Sequence, residues 1–165
     1  MSEYINMYQA GPADRSGDIQ FRSRLEYRDF AENLWEYIAP FQFIYKGVAH
    51  AIPQHFITDF YSVPRFLRWL WPNNQGVYNE SSGIHDWFVR NRKLLGMSLT
   101  ECHRAFNAAM SYQGVPDARR RMKFAAVYLF NGLCAGKGDG SLPDHIVKAV
   151  ERRRRTGINY RSMGC

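Results

Sequence analysis

His85 and Asp86 are neighbours in the chain, and an imidazole beside a carboxylate is a pairing that can work on water. A neutral imidazole acts as a general base. A carboxylate next to it can hold a hard cation such as calcium, whose charge would stabilise a developing oxyanion. Neighbours on a helix point about 100° apart, so the two can flank one centre but cannot stack. His103 and Asp59 extend the set. Together with His85 and Asp86 they form a two-histidine-plus-carboxylate group of the type that takes zinc, manganese or iron. That grouping requires the helices carrying His85 and His103 to be antiparallel neighbours, which the short link at 94–97 permits.

Each of these residues also has a plainer role open to it. A His-Asp dipeptide is common, and its histidine can simply sit in the core or on the surface. His103, at the edge of an apolar face, can hydrogen-bond Asp59, Asp86 or a backbone carbonyl. Asp59 can pair with Arg65 and fix the corner between them. Ser62 suits a helix cap better than a nucleophile, because no Gly-x-Ser-x-Gly elbow surrounds it.

The elements that must position these residues follow from pattern. Leu34 to Ile38 alternates in part, Phe41 to Tyr45 is aromatic and β-rich, Lys46-Gly47 is a turn, and Val48 to Ile52 is the return strand. Helices dominate after residue 60. The first is capped by Ser62 with Pro64 in its first turn, and the loop Pro72 to Gly76 follows. A helix from about Asn79 to Lys93 carries His85 and Asp86. Ser98-Leu99-Thr100-Glu101 has the form of a capping box and opens a helix with core stripe Leu99, Cys102, Phe106 and Ala109. Another helix starts near Pro116-Asp117. After a Gly-rich break at 136–140, Ser141 to Asp144 opens a last, basic helix. The expected fold class is α+β, a small antiparallel sheet in the N-terminal half and packed α-helices in the C-terminal half. Residues 1–20 are expected to be an irregular arm, 21–135 a single domain, and 136–165 a break with a basic helix and tail.

Composition narrows the function classes. The chain has 165 residues, 45% apolar, with 11 Phe, 10 Tyr and 4 Trp, enough for an aromatic core and against disorder. Three cysteines at 102, 134 and 165 form neither a disulfide framework nor a zinc knuckle. No signal peptide is expected from the start of the chain, and no apolar run reaches the roughly 20 residues of a spanning helix. The net charge of +7 is confined to the last third, where residues 111–165 carry 11 Lys and Arg against 4 Asp and Glu. The runs Arg119, Arg120, Arg121 and Arg152, Arg153, Arg154, Arg155 suit an acidic protein or membrane surface. No helix-turn-helix, RNA-recognition or zinc-finger pattern accompanies them, so specific nucleic-acid binding is not expected.

The motifs Thr58-Asp59-Phe60-Tyr61-Ser62-Val63-Pro64-Arg65, then Pro72, Gly76 and Tyr78, then His85-Asp86, then Glu101 to Met110 resemble a DUF1353-like phage and prophage family of unknown function. Its pattern runs Val-Pro-x-Gly-Phe-x-Thr-Asp-Phe-Ala-Ser-Val-Pro-Arg, Pro-Pro-x-Gly-x-Tyr, His-Asp-x-Leu-Tyr and Glu-Ala-Asp-x-x-Phe-x-x-Ala-Met. The resemblance covers residues 41–130 or so. The chain departs from the pattern at Ile52-Pro53-Gln54-His55-Phe56, which lacks the turn glycine, at Tyr61, at Phe88-Val89, and at His103 in place of an Asp. The two-helix arrangement is also distantly similar to phospholipase A2. That similarity implies His85 as base and Asp86 as calcium ligand, with His103 standing where an orienting Asp belongs. A neutral histidine there supplies no negative charge for an imidazolium.

Two expectations follow. The first is a structural or accessory protein of a tailed bacteriophage, made in the host cytoplasm, incorporated in the virion and acting on other phage structural proteins. The second is a hydrolase of lipid ester or cell-wall bonds. It would use a divalent metal, calcium or zinc, held by Asp86, His103 and Asp59, with His85 and Asp86 catalytic.

Overall fold

The structure, a computed structural model, describes residues 17–60, 78–134 and 137–155. Residues 1–16 of the expected arm at 1–20, the Ser62 cap with its helix, the Asp59–Arg65 pair, the loop at 72–76 and the tail beyond 155 lie outside the described residues. The fold is α+β. Among the described residues, six short strands come first: β1 (Ile19–Phe21), β2 (Tyr27–Ala31), β3 (Leu34–Tyr37), β4 (Phe41–Tyr45), β5 (Val48–Ile52) and β6 (Ile57–Thr58). Four described helices follow: α1 (Asn79–Asn91), α2 (Leu99–Tyr112), α3 (Asp117–Cys134) and α4 (Asp144–Arg155).

The strands form two antiparallel sheets of three, ordered β1-β4-β5 and β2-β3-β6. β4 shows the period-2 pattern of a half-buried strand: Phe41, Phe43 and Tyr45 are buried while Gln42 is exposed. Tyr45 pairs with Val48 across Lys46-Gly47. Both turn residues have positive φ, 48° and 77°, the two-residue turn whose twist matches that of the strands. Strand β1 begins at Ile19, inside the stretch expected to be irregular. Ile19 pairs with Tyr45 and is fully buried, so the sheet and not the sequence punctuation sets that boundary.

One core joins the sheets to the helices. Tyr37, Phe41, Phe43, Ile52 and Phe60 meet Ile84 and Phe88 of α1 and Cys102, Ala105 and Ala109 of α2. A second cluster seats α4: Ile146 packs on Phe30, Leu34 and Ile57 of the β2-β3-β6 sheet. Arg153 caps this contact, donating to the Phe30 carbonyl and lying 4.7 Å over the Phe30 ring. The basic last helix is therefore docked on the fold rather than appended to it. The Gly-rich segment before it is tied down as well, with Gly140 N–H donating to Arg90 O and Lys93 N–H to Gly138 O. No helix among the described residues is long and apolar enough to cross a membrane.

The expected capping box is half formed. Ser98 Oγ accepts from Glu101 N–H at 3.1 Å. The Glu101 carboxylate does not turn back to the cap; it accepts from Tyr45 Oη at 2.7 Å and pairs with Lys46 at 2.6 Å. Those contacts fasten α2 to the β4-β5 turn and hold the Glu101 carboxyl below its usual pKa, Lys46 contributing most.

The tightest approach lies between α1 and β3. A Cβ at Gly83 would meet Tyr37 Oη at 1.8 Å. Tyr37 is fully buried, and its hydroxyl has no hydrogen-bond partner among the described residues. Gly83→Ala should therefore destabilise the protein by about 3 kcal/mol through overpacking, although Ala is the better helix former. Tyr37→Phe removes a buried, unsatisfied hydroxyl and should be neutral or stabilising by about 1 kcal/mol. Combined with Gly83→Ala it should recover most of that loss. Urea unfolding of the double-mutant cycle measures this, and additive effects would contradict the contact.

Candidate functional site

Helix α1 is packed on two sides, and its polar residues divide between them. Asn79, Gly83, Asp86 and Arg90 recur at the spacing of one helix face and meet the β2-β3-β6 sheet with its flanking loops. Asn79 donates to Tyr27 Oη at 2.7 Å, and Gly83 admits Tyr37. Asp86 accepts from Thr58 Oγ1 at 2.5 Å. Arg90 donates to Ile57 O at 2.9 Å and stacks 4.2 Å over Phe56. His85 points the other way, into α2.

There it meets His103. His85 Nε2 and His103 Nδ1 are 3.1 Å apart, their rings are near-parallel at 25°, and Phe106 closes over His85 at 5.0 Å. Both histidines are 1% exposed. One nitrogen must donate and the other accept, so the contact requires at least one neutral ring. Asp86 Oδ1 lies 3.7 Å from His85 Nδ1, beyond hydrogen-bond length yet close enough for its charge to favour a proton there. Which of the two nitrogens donates depends on the tautomer. Burial, and then the neighbouring His85, push the His103 pKa down to about 4.

The expected two-helix setting is present, and the expected metal set does not gather. His103 approaches His85 at Nε2 and Asp86 approaches it at Nδ1. Both face the His85 ring from opposite sides instead of sharing a point in space. Asp59 turns to α4, its Oδ2 lying 3.8 Å from His145 Nε2. Among the described residues, no three His, Cys, Asp or Glu side chains group to hold a metal. Among the described residues, the side-chain partner of His103 is His85. Cys102, one residue before it, is a buried thiol pushed up to about 11 by burial, the opposite of an activated nucleophile.

Several residues that matter here carried weak sequence signals. Thr58 is fully buried and does two jobs: it donates to Asp86 and accepts from Phe60 N–H at 3.1 Å. It belongs to the quoted motif, but threonine in a strand is unremarkable by type. His55 stands where the resemblance places glycine, and its φ is +68°. The left-handed backbone that glycine adopts freely is held here by a side chain, His55 Nδ1 lying 2.7 Å from buried Glu36, which also pairs with Arg28 at 2.9 Å. Burial chiefly lowers the His145 pKa, with Arg90 adding to the effect and Asp86 opposing it. His145 was hidden in sequence because only the docking of α4 brings it to Asp59.

The His103 shift has a definite consequence for acid stability. Its folded pKa of about 4 lies below the ordinary 6.5. Between these values the unfolded chain takes up a proton that the folded chain refuses. Stability from this group is thus present above pH 6.5 and is lost as pH drops toward 4. His103→Asn, which keeps a donor near the Nδ1 position, should flatten that slope. Urea midpoints taken from pH 7.5 to 4 measure it, and an unchanged slope in the variant would remove His103 as the acid-sensitive group.

Residues 35–127, from β3 into α3, match the family described as proteins of unknown function, DUF1353. No curated protein and no solved structure matches the chain. The matched span contains Thr58, His85, Asp86 and His103 and more than half of the sequence, and the chain belongs to the DUF1353 family.

Proposed function

We propose that this protein acts through protein contacts, as a structural or accessory component of a tailed bacteriophage particle. The observation that carries the proposal is the use to which the His-Asp pair is put. His85 and His103 face each other in a site closed to solvent, and Asp86 is engaged by Thr58. A general base needs its lone pair within reach of a water and a substrate. Here His85 Nε2 is taken up by His103 Nδ1 at 3.1 Å, and the group serves as a polar clamp between helices and sheet. The phage setting comes from the sequence resemblance.

Mass spectrometry of purified intact particles from a phage encoding the protein tests this directly. The protein should be present at a fixed copy number, and its absence from particles would refute a virion role. A second arm addresses chemistry. The purified protein, assayed on phospholipid and peptidoglycan with calcium, zinc or manganese, should show no hydrolysis that depends on His85. Metal-dependent turnover abolished by His85→Ala, in a variant still folded by circular dichroism, would establish the hydrolase instead.

A further inference from the structure

Helix α3 is apolar on two opposite sides. Its inner side packs Lys123 and Val127 against Phe106 and Met110 of α2 and against Val115 and Tyr78. Ala118, Met122, Ala125 and Leu129 lie on the far side, at steps of four, three and four residues, the spacing of a coiled-coil seam. All four are exposed, Met122 at 43% and Leu129 at 70%, and Tyr128 beside them at 54%. The seam alternates small and large side chains, so an approaching helix would find a hole at each alanine and a knob at Met122 and Leu129. A contiguous apolar stripe of this kind on a folded surface marks a contact site.

Its rim is cationic. Arg119 and Arg121 are exposed next to the seam, and among the described residues no carboxylate pairs with either. Arg120 is engaged by Asp117 at 2.8 Å, and Asp117 is the sole acidic residue of α3. Cations in the first turns oppose the helix dipole, so helix stability does not account for them. The crowding of positive charge extends inward: burial, and after it Arg119, bring the Lys123 pKa down to about 7.

We propose that the outer face of α3 is a docking site for an acidic amphipathic helix of a partner protein. The proposal rests on the protein-contact reading above and supplies the chemistry of the partner. A helix with apolar residues at seam spacing fills the stripe, and glutamates or aspartates along its edge meet Arg119 and Arg121. A second copy of this chain fits less well. It would bring a net charge of +7 against +7 and offer the arginines no carboxylate from its own seam.

The test uses the full-length protein and a synthetic four-heptad helix with Leu at its seam and Glu along its edges. NMR titration should shift α3 amides around residues 118–129. Leu129→Glu, at an exposed position, should weaken binding about tenfold or more. Charge reversal at Arg119 and Arg121 should weaken it similarly, and added salt should do the same. Several outcomes would overturn the proposal: no binding, binding indifferent to Leu129→Glu, or equal binding of a Lys-edged helix. Self-association abolished by Leu129→Glu would make a second copy the occupant and overturn it too. Binding of the protein to vesicles rich in anionic lipid through the same residues would assign the face to a membrane. None of these results bears on whether the protein is found in particles, so the two proposals fail separately.

Discussion

The structure depends on α1 being held from two sides at once. A helix bearing His85 and Asp86 at adjacent positions presents polar groups in two directions, and both directions are buried. Leaving either group unsatisfied would cost about 1 to 3 kcal/mol, and more for the charged carboxylate. The fold therefore has to bring a donor to Asp86 and a complementary ring to His85. Thr58 at the end of β6 is the donor, and His103 on α2 is the ring. These two contacts fix where α1 stands relative to both the sheet and the neighbouring helix. The aromatic residues around them, Phe88 on Phe43 and Arg90 over Phe56, fill the space so defined.

Legibility from sequence follows the range of the interaction. The β4-turn-β5 hairpin was readable because alternation in Phe41 to Tyr45 and the Lys46-Gly47 turn are local, and so were the starts of α2 at Ser98 and α3 at Pro116. The α+β class follows from the same signals. Strands β1 and β6 are two or three residues long and exist through their pairing with β4 and β3, so no local period announces them. Glu101 at the third helical position was expected to cap its own helix. A buried tyrosine hydroxyl and a lysine across the fold compete for the same carboxylate and win. The candidate site divides likewise. That His85 and His103 share a two-helix setting was legible from spacing. That they face one another, leaving Asp59 to His145, depends on side-chain directions and on the seat of α4, which no spacing encodes.

The substitutions relative to the family pattern are not independent of this arrangement. Where glycine would give a left-handed turn at no steric cost, His55 accepts that backbone and gains Glu36 as a partner. A left-handed non-glycine residue costs about 1 to 2 kcal/mol, and a contact to a buried carboxylate is of comparable size. Where an aspartate would face His85, His103 does. An aspartate would hold a charged imidazolium, whereas a histidine requires that one ring stay neutral. The exchange therefore puts a second ring, not a carboxylate, against His85 Nε2, and Asp86 is the carboxylate beside that ring.

The same logic separates the inside of this protein from its surface. Inside, the carboxylates have fixed partners: Glu36 has His55 and Arg28, Asp86 has Thr58, and Glu101 has Tyr45 and Lys46. The excess positive charge of the last third is spread over α3 and α4, and the fold absorbs part of it, with Arg153 seated on Phe30 and Arg120 on Asp117. Of the remainder, Arg119 and Arg121 lie beside an apolar seam on α3, and Tyr128 joins that seam to the interior, its ring edge-on to His103 at 5.9 Å. That ring borders both the exposed apolar seam and the buried histidine pair.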